Sequence, residues 1–253
     1  MLTRLLTTST LLPLLRPSSR LMSSSVGLSI PHAKSSLLTC TCVCFDVDST
    51  VITEEGIDVL ASHLGKGSEV SEWTSKAMGG NVKFEDALSA RLGLIEPSKS
   101  SIIECLKIHP FKLSPGVEKF IETLHEKNVD VWLVSGGFRI MIEPIAEVLN
   151  IPKDNILANN ILHDEEGNYV GFDSNEPTSR DLGKPAALNM IKRSKGHESV
   201  VMVGDGATDA QAKPPAVAFI GYGGVQDRES VREKADWFVY DFEELTEVVK
   251  GRE

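Results

Sequence analysis

Beyond residue 40 the chain alternates between two hydrophobic patterns. Short, nearly continuous apolar runs occupy Cys42–Asp46, Val129–Ser135, Asn155–Ala158, Ser199–Val203, Ala216–Ile220 and Trp237–Val239. Runs of this length, rich in β-branched residues, predict strands buried on both faces. Between them, apolar positions recur at helical spacing over Gly116–Lys127, Arg139–Leu149, Lys184–Ser194, Asp227–Lys234 and Phe242–Lys250. Strand and helix in alternation predict an α/β fold, a Rossmann-like and mostly parallel sheet with helices on both faces. Ligands of such sheets bind beyond the carboxyl ends of the strands. Asp46, Ser135 and Asp205 each fall at such an end.

One stretch breaks the alternation. From Gly56 to about Lys112 no strand pattern occurs, and Ile57, Leu60, Ala61 and Leu64 open a series of helical repeats. Val70–Met78, Phe84–Leu92 and Ser98–Lys107 continue it. This predicts a small helical cap inserted after the first strand. The expected organisation is a leader over 1–37, a core over 38–55 and 113–253, and a cap over 56–112. Within the core, Glu165-Glu166-Gly167-Asn168 between apolar segments of Ile161–Asp173 predicts a β-hairpin.

Composition changes this picture at the N-terminus. Residues 1–40 carry four basic residues and no acid, so a net charge of −10 for the 253-residue chain hides −14 in the body. Such a surface repels phosphodiester backbones and argues against nucleic acid as a partner. The leader is rich in Ser, Thr and Leu with scattered Arg, the composition of an organellar transit peptide. A chloroplast address is the expectation, with the mitochondrion as alternative and the cytoplasm if translation starts at Met22. No segment has the roughly 20 continuous apolar residues of a membrane span. Cys40, Cys42, Cys44 and Cys105 read as reduced core residues, the first three along one strand.

The chemistry gathers at the strand ends. The first strand closes on "FDVDST", with Asp46 and Asp48, and a later one on "VGDGATDA", with Asp205 and Asp209. Taken singly, each aspartate reads equally well as a helix cap or turn former. Together, converging carboxylates would raise one another's pKa values, a conflict that a divalent cation relieves. A small set of hard oxygen ligands suits Mg²⁺, which also bridges to phosphate. "VSGGF" (Val134–Phe138) adds a serine and two glycines before a helix, either a plain turn or an anion site. Lys184 opens a helix, where its charge has the wrong sign for the dipole. It is either solvent-facing or held by a phosphate or carboxylate.

These stretches, in this order, resemble the haloacid dehalogenase superfamily of phosphatases over roughly residues 40–250. "FDVDSTVITEEGID", "AMGGNVKFEDALSARL", "VSGGF", "GFDSNEPTS" and "VGDGATDA" are closest to members that act on O-phosphoserine. The resemblance implies a Mg²⁺-dependent phosphoric monoester hydrolase. It releases serine and phosphate through an aspartyl-phosphate, as the last step of phosphorylated serine biosynthesis. It makes Asp46 the nucleophile and Asp48 the general acid and base. The metal would be held by Asp46, the backbone carbonyl of Asp48, and Asp205. Ser135, Gly136, Gly137 and Lys184 would hold phosphate, with Thr208 and Asp209 nearby. Glu55 would meet the substrate ammonium and Arg91 its carboxylate, while Met78, Gly79 and Phe84 line the pocket. Without the resemblance, Glu55 and Arg91 read as surface ion-pair residues.

The alternative is a phosphotransferase that passes the phosphoryl group to another alcohol such as homoserine. A small-molecule substrate, with no nucleic acid and no membrane, is the expected partner set, and a homodimer stays open. Two positions depart from the superfamily pattern: Gln211 stands where relatives often carry an acid, and "RDLGK" replaces a Gly-Gly approach to the lysine.

Overall fold

The structure, a computed structural model, describes residues 26–78 and 82–252. Helix α1 (Val26–Thr39) leads into strand β1 (Cys42–Phe45). Four helices follow before the next strand: α2 (Gly56–His63), α3 (Gly67–Met78), α4 (Phe84–Ile95) and α5 (Lys99–Ile108). Then come α6 (Val117–Glu126), β2 (Asp130–Phe138), α7 (Arg139–Val148) and β3 (Ile156–Asn159). The hairpin strands β4 (Ile161–His163) and β5 (Tyr169–Phe172) pair antiparallel. The chain continues through α8 (Gly183–Lys195), β6 (Val200–Gly204), α9 (Ala207–Ala210), β7 (Ala218–Tyr222), α10 (Glu229–Arg232), β8 (Trp237–Val239) and α11 (Phe242–Lys250).

The main sheet has six strands in the order β3-β2-β1-β6-β7-β8, and every pair in it is parallel. The chain therefore builds outward from β1 to β3, then returns to the other side of β1 for β6. The crevice at that reversal is where a parallel sheet of this kind offers a site. β1 and β6 run in register, Phe45 opposite Val203, and Asp46 N–H donates to the Val203 carbonyl at 2.9 Å. This pairing sets "FDVD" beside "VGDG", although the two stand far apart in sequence.

Both faces of the sheet are covered, which is why β1, β6 and β7 are buried at every position. On one face Phe45 meets Phe120 of α6 edge-on at 5.7 Å, and Tyr222 stacks on Phe242 of α11 at 4.5 Å. On the other, Cys42, Cys44 and Trp132 pack with Ala187, Leu188 and Ile191 of α8. The cap helices have a core of their own, Leu60, Val70, Leu88, Leu92 and Ile102, joined to the sheet domain through Phe138 and Met141.

Three expectations need correction. The predicted leader boundary at residue 37 falls inside α1, which buries Ala33 and Leu37 completely. This helix packs on β7, β8 and α11, so residues 26–37 belong to the core. Cys40 precedes β1 and lies in the core of the opposite face from Cys42 and Cys44, so the three do not share one strand face. Finally, Ser135 does not end its strand: β2 runs on to Phe138, with its register to β3 shifted between Val134 and Phe138. The two glycines let the strand bulge there, a device that re-aims side chains near sites.

Candidate active site

Asp46 is the first residue past β1, and its Oδ1 accepts the Val47 N–H at 2.7 Å. The chain then makes a turn in which Asp48 is extended and Ser49 is left-handed, at φ 52°. The Asp48 carboxyl is directed at the start of α2, where Oδ1 accepts the Gly56 N–H at 2.7 Å. A Cβ on Gly137 would stand 2.8 Å from Asp48 Oδ2, so only glycine lets β2 approach this closely. Burial, reinforced by the charges of Glu55 and Asp46, pushes the Asp48 carboxyl up to about 8. That favours the protonated form.

From the other side of the crevice, the Lys184 ammonium reaches 2.8 Å from Asp46 Oδ2 and also pairs with Asp209. Lysine stands at the start of α8, against the dipole, because these two carboxylates claim it. Burial alone would lower its pKa; the carboxylates of Asp209 and Asp46 outweigh burial and raise it. Asp209 is fully buried, and its Oδ2 accepts the Gly206 N–H at 2.9 Å. Burial and Asp46 raise the Asp209 carboxyl, with Lys184 opposing. Asp205 accepts the Thr50 hydroxyl at 3.0 Å and pairs with Arg228, which also donates to the Asp205 carbonyl at 3.0 Å.

Carboxylate oxygens of Asp46, Asp205 and Asp209 all lie within 4.8 Å of one another. Lys184 and Arg228 supply two positive charges against these three acids. An all-oxygen, anionic set in excess of its counter-charges fits a hard divalent cation. Asp48 turns its carboxyl to Gly56, so its contribution to such an ion would be the backbone carbonyl.

β2 brings Ser135, Gly136 and Gly137 to the same crevice. The Ser135 oxygen accepts the Gly137 N–H at 2.9 Å, which frees the hydroxyl proton to donate elsewhere. That N–H is therefore not part of an open helix start, as the sequence suggested. The ring of Phe84 lies against Gly136, where a Cβ would come within 2.9 Å of it. Cap and core meet again beside it: Phe84 N–H donates to Asp181 Oδ1 and Asp181 N–H to Glu85 Oε2, each at 3.2 Å.

Toward the cap, Glu55 accepts the Ser49 hydroxyl at 2.7 Å. Burial raises its pKa, and the charge of Asp46 adds to the rise. Arg91 is half-buried on α4, with its Nε donating to the Ala87 carbonyl at 3.2 Å. Asp58, Glu55 and Asp48 are the carboxyls whose fields it feels. Thr208 is exposed on α9, and Gln211 points to solvent. Gly79 lies outside the described residues, as does the side chain of Met78, which closes α3.

A family model for haloacid dehalogenase-like hydrolases matches residues 40–212. The chain belongs to this family. The chloroplastic phosphoserine phosphatase of Arabidopsis thaliana is 52% identical over 205 residues, 80% of this chain and 70% of the relative. The phosphoserine phosphatase of Bos taurus is 47% identical over 218 residues, 85% of this chain and 97% of the relative. A solved phosphoserine phosphatase complex with bound substrate superposes with a TM-score of 0.72 at 27% identity, covering 83% of this chain and 98% of its own. The expected family and the α/β fold are thus borne out.

Sequence reasoning passed over Thr50, Ser49 and Arg228. The two hydroxyls stand inside the opening motif, just after Asp48, but bond acids elsewhere in the chain, Glu55 and Asp205. Arg228 carries no local signal, since only the fold brings the loop before α10 to Asp205.

Proposed function

We propose that this haloacid dehalogenase-like hydrolase is a phosphoserine phosphatase that uses Mg²⁺. The reading rests on one observation above all: Asp46, Asp205 and Asp209 converge around Lys184 at the crevice where the sheet reverses. The similarity to phosphoserine phosphatases over most of the chain supports it.

A carboxylate anion has no proton to lose when it attacks, so Asp46 needs no general base. Its oxygen forms a bond to phosphorus as the bond from phosphorus to the serine oxygen breaks. Asp48, protonated beforehand, gives its proton to that leaving oxygen. In the second step Asp48 takes a proton from water, whose oxygen attacks phosphorus. The bond to Asp46 breaks and inorganic phosphate leaves. Lys184 offsets charge on Asp46 and the transferring group, while Ser135 donates to a phosphate oxygen. A bound Mg²⁺, held by Asp46, Asp205 and the Asp48 carbonyl, would neutralise phosphate charge. Glu55 and Arg91 present one anion and one cation to a zwitterionic leaving group, and a guanidinium suits its carboxylate. Phe84 closes the pocket from the cap against Gly136, with Gly136, Gly137, Thr208 and Asp209 around the phosphate.

Release of inorganic phosphate from a panel of phosphomonoesters, with and without Mg²⁺, tests this. Fast, metal-dependent turnover of O-phosphoserine is expected; phosphate appearing on added homoserine instead would replace hydrolase by phosphotransferase. We also infer a plastid address in the leader, ending before Val26 because α1 is part of the core. Import of a fluorescent fusion carrying residues 1–25 checks it. Among the described residues no helix is long and apolar enough to cross a membrane.

A further inference from the structure

Asn159, the last residue of β3, is fully buried and makes two hydrogen bonds that no role so far assigned requires. Its Nδ2 donates to the Gly136 carbonyl at 2.8 Å. Its Oδ1 accepts the Thr178 hydroxyl at 3.0 Å. The two bonds use opposite ends of one amide, so together they fix its orientation. Thr178 is itself buried, in the turn Pro177–Ser179.

Each end of this bridge reaches one of the two arms of the crevice. The Gly136 carbonyl and the Gly137 N–H belong to one planar peptide unit, so holding the carbonyl fixes the direction of the N–H. That N–H donates to Ser135 Oγ, and this decides where the Ser135 hydroxyl proton is free to go. At the other end, the Pro177–Ser179 turn packs against Gly183 so closely that a Cβ there would lie 2.3 Å from the Pro177 carbonyl oxygen. Lys184 is the next residue. The path from Thr178 through Asn159 and Gly136 thus ends on Ser135 in one direction and abuts Lys184 in the other.

We propose that Asn159 is a positioning residue that couples the serine arm and the lysine arm of the phosphate site, with Thr178 as its anchor. The inference rests on the reading of Ser135 and Lys184 as phosphate-holding groups. Asn159 touches no substrate; it sets the spacing and aim of the groups that do.

The test uses the purified full chain and inorganic phosphate as a competitive inhibitor. Asn159→Asp keeps the acceptor for Thr178 but removes the donor to Gly136. At neutral pH it should weaken phosphate inhibition about tenfold and lower kcat/KM by a similar factor, the scale of one buried carbonyl left unpaired. As pH falls and the new carboxyl gains a proton, it becomes a donor again, so the variant should recover relative to wild type. Should that variant not fold, Thr178→Val and Thr178→Ser carry the same question. The valine loses the hydroxyl and should weaken phosphate inhibition, while the serine restores most of the loss. Variants that lower the melting temperature yet keep wild-type phosphate inhibition and kcat/KM would reduce the bridge to a packing contact and overturn the proposal. A wild-type protein neither turning over phosphoserine nor inhibited by phosphate would instead overturn the functional reading, and the bridge with it.

Discussion

Lys184 Nζ lies 2.8 Å from Asp46 Oδ2 while pairing with Asp209, so one ammonium holds two buried carboxylates apart. Removing it leaves both acids unpaired in a crevice that water barely reaches. Lys184→Met should therefore abolish turnover and also destabilise the fold, by about 3–5 kcal/mol for a buried pair that loses one partner. Asp46→Asn should abolish turnover too, but with the fold intact, because the amide oxygen can still accept the Val47 N–H. Thermal melts and phosphate release separate the two. Near wild-type hydrolysis by Asp46→Asn would contradict its role as nucleophile.

Arg91 sits on the cap helix α4 rather than on the sheet, so its loss should separate substrates. Arg91→Ala should raise KM for phosphoserine far more than for a simple aryl phosphate, which has no carboxylate to place. A bidentate charged contact is worth about 1.5–3 kcal/mol, so the difference should exceed tenfold. Equal effects on the two substrates would remove Arg91 from carboxylate recognition.

Glu55 predicts a pH dependence of the same discrimination. Burial, then the charge of Asp46, holds its carboxyl above the ordinary range, against the Ser49 hydroxyl. A raised value means that the anion is lost at a higher pH than an exposed glutamate would lose it, near ~4.3. In the proposed function, that anion is what meets the ammonium of phosphoserine. KM for phosphoserine should therefore climb on the acid side before KM for the aryl phosphate does. Glu55→Gln should flatten the difference between the two profiles.

The three-carboxylate cluster predicts a response to metal that does not depend on turnover. A cation that binds only the folded chain stabilises it in proportion to the logarithm of its concentration. Adding Mg²⁺ to chelator-treated protein should raise the melting temperature, and Asp205→Asn should blunt that rise. An equal rise in the variant would place the ion elsewhere.

The strand ends were legible in sequence for a physical reason. A parallel sheet covered on both faces leaves nearly unbroken apolar runs, and the acids stand out where those runs stop. Asp46, Asp205 and Lys184 could be picked from residue type and position alone. Helix α1 could not, since Val26–Thr39 is serine-rich, contains Pro31, and leaves Ile30 exposed. Such a segment shows no helical stripe. Partnerships were also hidden: Thr50 meets Asp205 from 155 residues away, and Asn159 is an ordinary polar residue until Gly136 and Thr178 close around it. The sequence announces groups that carry charge at strand ends; the neutral groups that aim them emerge only with the tertiary fold.

Gly204 provides a steric test of that aim. It ends β6, and a Cβ there would stand 2.3 Å from both the carboxyl carbon and Oδ2 of Asp209. Asp209 is fully buried and held by Lys184 and Gly206, so it has no free space into which to retreat. Gly204→Ala must displace the Asp209 carboxylate and with it the Lys184 ammonium. A shift near 1 Å in such a group costs about 100-fold in rate, and overpacking costs about 1–3 kcal/mol in stability. Gly93→Ala is the control, because nothing lies within 4 Å of its added Cβ in α4. It should leave turnover alone and raise stability by about 0.5–1 kcal/mol through helix propensity. Wild-type kcat in Gly204→Ala would mean that Asp209 does not position Lys184, whatever the ion pair suggests.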